Sequence, residues 1–152
     1  MSLFEDLRAL LETEGIHSLE SALRHKELAK LGDPLTNLLF SLALSTHTKR
    51  FDGQKVSGKI LAIAIRLAEL RHLAPSRLDA HGLGDCVEAM IAYGWLRGFF
   101  TIPEATRTLH EQFVRTGLGT TQSKAEHNEA IAMGFAVLLK QIWEHEQADT
   151  SL

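Results

Sequence analysis

Apolar positions recur at helical spacing along almost the whole chain. Ser2 followed by Glu5 forms a capping-box pattern, and Leu3, Phe4, Leu7, Leu10 and Leu11 then share one face up to Gly15. A second run, Ser18 to Lys30, carries Leu19, Leu23, Leu28 and Leu31 near one side. Gly32 is a weak point. Pro34 has two readings: Asp33 caps a new helix with proline in its permissive first turn, or one helix kinks there. Leu35, Leu38, Leu39 and Leu42 then carry the helix into the core, and the polar, basic segment Thr46 to Gly53 reads as a loop. Ser57 precedes a periodic run from Ile60 to Leu70, with Ile60, Leu61, Ala64, Ile65 and Ala68 facing inward. Ala74-Pro75-Ser76-Arg77 interrupts it, and Gly82 and Gly84 lead into a helix whose stripe is Val87, Ile91, Gly94 and Trp95. Gly98 ends that helix, and Pro103 opens another that runs to about Arg115. Gly117 and Gly119 turn the chain into a last helix from Lys124 to about Glu146. No segment alternates as a strand would, and no internal repeat occurs, so the fold class is all-α.

Composition adds boundaries. With 152 residues, 45% hydrophobic, 23% charged and only 3 prolines, the chain suits one domain over 1–152. No early apolar run approaches the roughly 20 residues that span a bilayer, and Met1 to Glu14 carries acids where a secretion signal carries basic residues, so no membrane association and a cytoplasmic location are expected. The single cysteine, Cys86, excludes an intramolecular disulfide and a cysteine-cage zinc site, and reads as core.

The central helix also carries acids. Asp85 and Glu88, three apart, project together beside the apolar stripe. Acids in a first helical turn complement the unpaired N–H groups there, so the bland reading is capping after Gly82 and Gly84. A third acid, Asp33 in Leu31-Gly32-Asp33, shifts the balance. Leu31-Gly32-Asp33 ahead of an apolar helix, and Asp85-Cys86-Val87-Glu88-Ala89 continuing into a small, apolar helix to Gly98, together resemble the two signatures of the ribonuclease III nuclease domain. Val56 to Ala62 resembles the helix start between them. The likeness is strong from Leu28 to Gly98 and extends more weakly over Lys124 to Trp143. It is nearest to minimal forms without a separate double-stranded-RNA-binding domain, notably small archaeal ribonuclease III-like proteins and the related Mini-ribonuclease III.

That resemblance implies the helical ribonuclease III endonuclease fold, with Asp33 inside a helical run and therefore a kink or local restart at Pro34. It implies a homodimer with one site per strand of double-stranded RNA, and hydrolysis leaving 5′-phosphate and 3′-hydroxyl ends. Ribosomal RNA precursors are the common substrates of minimal forms. Asp33, Asp85 and Glu88 become the catalytic and metal-holding residues, with Mg²⁺, or Mn²⁺, as cofactor. The chemistry agrees: clustered carboxylates oppose one another's ionisation, and a divalent cation with a preference for oxygen ligands reverses that penalty. It would also activate water and neutralise a transferring phosphoryl group. Two departures stand out. Ala29 occupies the place of a fourth acid, and Lys30 that of an aromatic interface residue in larger relatives.

A net charge of −3 does not advertise RNA binding, because affinity for a polyanion comes from neutralised phosphates. The footprint must be local. Lys49, Arg50, Lys55 and Lys59, opposed only by Asp52, are the candidate RNA-binding residues; Arg24, Lys26 and Lys30 form a second run, and either run also reads as a solvated face. His81, four before Asp85, reads as a partner of the capping turn, with metal ligation or proton transfer as the alternative. No His-Asp dipeptide or Gly-x-Ser-x-Gly elbow occurs. The competing functions are a catalytically weak or inactive RNA-binding or ribosome-assembly module on the same fold, and a helical nucleotide phosphohydrolase.

Overall fold

The computed structural model describes residues 2–120 and 122–150. Among them are seven α-helices and no strand: α1 Leu3–Thr13, α2 Leu19–Leu23, α3 Lys26–Thr48, α4 Gly58–Leu67, α5 Ala80–Leu96, α6 Ile102–Arg115 and α7 Lys124–Thr150, with one 3-10 turn at Arg71–Leu73. None of these helices is long and apolar enough to cross a membrane.

The starts are set by side-chain caps that satisfy otherwise unpaired N–H groups. Ser2 Oγ accepts from Glu5 N (3.1 Å) and Ser57 Oγ from Ile60 N (3.2 Å). Thr101 and Glu104 form a reciprocal capping box, as do Ser123 and Glu126. Gly98, at φ +76°, takes the left-handed turn that stops α5.

Several expected boundaries move: α3 runs on to Thr48, inside the segment read as a loop, and α4 ends at Leu67 rather than Leu70. The run Ser18 to Lys30 is not one helix: it breaks at His25, whose Nδ1 accepts from Leu28 N (3.0 Å) and so starts α3. From there α3 continues through Gly32, Asp33 and Pro34 without restarting. An interior proline costs about 3 kcal/mol. Pro34 lies on the solvent side, while Leu35, Thr36, Leu39, Phe40 and Ala43 behind it are buried; at about 1.5–3 kcal/mol per large apolar side chain, packing outweighs the proline. Leu38 and Leu42, expected inward, are instead 45% and 37% exposed and form an outer stripe with Leu31. Another shift is at α5. Asp79 caps it by accepting from Gly82 N (2.8 Å), so Gly82 and Gly84 lie inside the helix rather than ahead of it.

Helix α5 is the centre of the molecule, packed against α3 on one side and α4 on the other, with α7 closing over α4 and α6. Leu83, Val87, Met90, Ile91 and Tyr93 are completely buried. Glu146 of α7 is also buried; its carboxylate accepts from Tyr93 OH (2.9 and 3.0 Å) and Leu19 N (3.0 Å), and Arg97 lies 3.7 Å away. A buried charge is tolerated when it is paired and hydrogen-bonded in this way, and the network joins α2, α5 and α7.

Candidate functional site: an acidic cluster where α3 crosses α5

Helices α3 and α5 touch backbone to backbone at Gly32 and Glu88. A Cβ on Gly32 would stand 1.9 Å from the Glu88 carbonyl oxygen, so only glycine allows this crossing. The next residue of α3 is Asp33, and Glu88 is itself the α5 residue at the contact. The crossing therefore brings the Asp33 carboxyl within hydrogen-bonding reach of Glu88, with Asp85 one turn away on α5.

Glu88 is buried, 9% exposed, whereas the Asp33 and Asp85 side chains are about half exposed at 45% and 51%. Burial first, and then the Asp33 hydrogen bond and the Asp33 and Asp85 charges, push the Glu88 carboxyl up from 4.5 to about 8; Lys55 opposes the rise. The capping reading of Asp85 and Glu88 does not hold, because Asp79 caps α5 and neither acid lies in its first turn. His81 lies within α5, uninterrupted by Gly82, and its Nε2 stands 3.8 Å from Asp85 Oδ2. Cys86 is buried beside these acids; burial, and then the Asp85 charge, raise its thiol pKa, which keeps it protonated and unreactive.

Asn37 is a site residue that its sequence pattern did not single out. Its Nδ2 donates to Asp33 Oδ1 (3.0 Å), and its Oδ1 accepts from Val56 N (3.0 Å). It begins a ladder at helical spacing: Ser41 Oγ bonds the backbone of Gln54, and Ser45 Oγ that of Asp52. The chain leaving α3 is thereby laid back along it, and Lys55 arrives with its ammonium 3.9 Å from Asp33 Oδ2. The i, i+4 relation of Asn37 to Asp33 was the available signal.

The four basic candidates separate. Lys55 faces the acids. Lys59 lies in the first turn of α4, where Gly58 packs against Gly84; a Cβ on Gly84 would be 2.7 Å from Gly58 Cα, so that turn lies directly against α5. Lys49 and Arg50 are not brought to the cluster. Lys49 is 16 residues beyond Asp33 at the C-cap of α3, about 24 Å along the helix and roughly 160° around it.

Among the described residues no group of three or more His, Cys, Asp or Glu side chains is arranged to hold a metal ion. In chemical type the donors suit a hard divalent cation: three carboxylates on two helices, one of them held protonated near neutrality by burial first and then by the other two. A pH dependence follows. Without a cation, the folded state binds the Glu88 proton between pH 4.5 and about 8 while the unfolded chain does not, so stability falls as pH rises through that window and levels above it. Urea unfolding in chelator across this range is expected to show that decline, and Glu88→Gln to flatten it. An identical slope in the variant would contradict the shift.

A comparison with curated proteins gave no match. The family model described as Ribonuclease III matches residues 26–148, which takes in both acidic segments and most of the chain. The protein therefore belongs to the ribonuclease III family.

Proposed function

We propose that this protein is a cytoplasmic endoribonuclease that hydrolyses phosphodiester bonds of double-stranded RNA, using Mg²⁺ or Mn²⁺ held by Asp33, Asp85 and Glu88. The observation that carries the reading is the meeting of Asp33 with Asp85 and Glu88 across the α3–α5 crossing. When bound, the cation supplies Lewis-acid activation of water and neutralises charge on the phosphoryl group. The protein's own groups do the rest. Asn37 fixes the Asp33 carboxylate, leaving Oδ2 toward Lys55. Glu88, as its carboxylate, and the half-exposed Asp85 would hold the cation together with Asp33. In this reading Lys55, beside Asp33, and Lys59, in the first turn of α4, contact phosphates of the duplex.

The resemblance to minimal forms points to a duplex within a ribosomal RNA precursor as the substrate. A two-fold homodimer supplies one site per strand, and the exposed stripe Leu31, Leu38 and Leu42 on α3 supports it as an interface. A second reading, a non-cleaving RNA-binding module, is favoured by Ala29 in place of a fourth acid and by the open arrangement of the three present.

The test compares long duplex RNA, the same strands unpaired, and the corresponding duplex DNA, each with Mg²⁺. Cleavage of the RNA duplex alone is expected. Tight duplex binding with no products in Mg²⁺ or Mn²⁺ would favour the module instead. Replacing Lys55 and Lys59 by alanine is expected to weaken duplex binding across unrelated sequences and to flatten its salt dependence by roughly one unit of slope for each phosphate no longer neutralised. Measured in Ca²⁺ at several salt concentrations, an unchanged slope would place the RNA elsewhere.

A further inference from the structure

Beside the acids, about one turn before the crossing on both helices, is a cleft that the acids do not fill. Ala29 lies four residues before Asp33 and so on the same face of α3, and Asp85 lies three before Glu88 on α5. Both line this cleft, whose volume is about 170 Å³. Its floor is apolar, made by Ala29, Pro75, Leu78 and Cys86, and a longer side chain at Ala29 would occupy it. Arg24 and Lys26, both exposed, stand at its rim. The walls are set by bonds within the chain: Arg24 Nη1 donates to Glu20 O (3.2 Å), and Arg71 Nη1 donates to Pro75 O (2.9 Å), which holds the Pro75 side in place.

We propose that this cleft takes one unpaired base of the RNA, belonging to the nucleotide next to the phosphate on which the acids act. This assignment rests on the nuclease reading and names a substrate class for it: duplexes interrupted by a bulged or mismatched nucleotide at the cut. The size suits a planar ring, since an apolar cavity of about 150 Å³ accepts benzene. So does the chemistry. A base is apolar on its two faces, and the floor offers it aliphatic carbon, while the guanidinium of Arg24 is a flat cationic plane of the kind on which unpaired bases stack. A base entering the cleft also brings its own phosphates to the rim, where Arg24 and Lys26 are the cations to meet them. A metal ion in the cleft would find one carboxylate, Asp85, among mostly apolar walls. Paired bases stay inside the duplex stack, and an unpaired one leaves it at the lowest cost, so the cleft selects for an interruption. The run Arg24 to Lys30 thereby gains a role on the acid face of α3, distinct from that of Lys55 and Lys59.

The experiment measures binding of the full chain, in Ca²⁺, to two RNA duplexes of the same sequence, one fully paired and one carrying a single unpaired nucleotide with a fluorescent adenine analogue as its base. The interrupted duplex is expected to bind about tenfold tighter or more, the scale of one stacked base, and the emission of the analogue to change as it binds. In Mg²⁺, cleavage should fall beside the unpaired nucleotide in preference to the paired arms. Ala29→Leu, which fills the cleft, should bring the ratio of the two affinities to about one. Arg24→Ala, at an exposed side chain, should lower the same ratio and decides the matter if Ala29→Leu does not fold. Equal affinity of the wild type for the two duplexes, with the paired one still cleaved, would overturn the cleft assignment and leave the nuclease standing. A ratio unchanged in folded Ala29→Leu, or in Arg24→Ala, would overturn it as well. Binding to neither duplex would remove both readings.

Discussion

Asp85→Asn is expected to keep the fold and lower duplex-RNA cleavage by roughly 10²–10³-fold or more, because a neutral amide is a poor ligand for a hard cation and the site has no fourth acid to compensate. The structure separates the two effects. Asp85 is half exposed, His81 Nε2, itself exposed, stands 3.8 Å from it, and the capping of α5 belongs to Asp79. Its charge therefore contributes little to stability, and exposed pairs of this kind are worth about 0–1 kcal/mol. Single-turnover cleavage and thermal melting, measured on the same preparation, check both halves. A variant that cuts at the wild-type rate would remove Asp85 from the chemistry, and one that fails to fold would mean that its role is structural.

Gly32→Ala is expected to be among the most destabilising single-methyl substitutions in this chain. The added Cβ would meet the Glu88 carbonyl oxygen at 1.9 Å and its carbon at 2.4 Å, and both are backbone atoms of the central helix with no side-chain rotamer to yield. Relief requires α3 and α5 to move apart by roughly 1 Å, which breaks packing along the whole crossing. Overpacking of this sort costs about 1–3 kcal/mol and occasionally more, and backbone-on-backbone contact belongs at the upper end. The same movement separates Asp33 from Glu88, so any folded remainder should lose cleavage as well. Gly82→Ala is the control. It also lies within a helix, but its Cβ meets only side-chain atoms of Leu78 and Asp79 at 3.2 Å and beyond, and a change within about 1 kcal/mol is expected. Urea unfolding of the two variants should differ accordingly; equal, small losses would show that the crossing is looser than the structure has it.

These residues also show what a single sequence reveals. Helix starts capped by Ser2 and Ser57 were legible because hydroxyl capping is local chemistry with a fixed spacing, whereas the Thr101 cap was missed and α6 was read from Pro103 instead. The start at His25 was not legible, since an imidazole cap has no distinctive pattern, and Gly32-Asp33-Pro34 offered a stronger local break. That break is overridden by burial on the far side of α3, which no local rule weighs. Gly32, Gly82 and Gly84 read as weak points or leaders; two of them are close approaches between helices, visible only once α3, α4 and α5 are packed. The acids were found through motif resemblance. Asn37, Ser41 and Ser45 were not singled out by the sequence, because their loop partners are backbone groups of a returning segment. That same loop divides the basic run, keeping Lys55 at the acids and leaving Lys49 and Arg50 at the far end of α3.

The most direct measurement is cleavage of end-labelled duplex RNA by the purified wild-type protein, with Mg²⁺ in one series and excess chelator in the other. The expected result is accumulation of fragments bearing 5′-phosphates in Mg²⁺ and intact duplex in chelator. Intact duplex in both series, under conditions where the protein binds it, or equal cutting in both, would contradict a cation-dependent nuclease built on Asp33, Asp85 and Glu88.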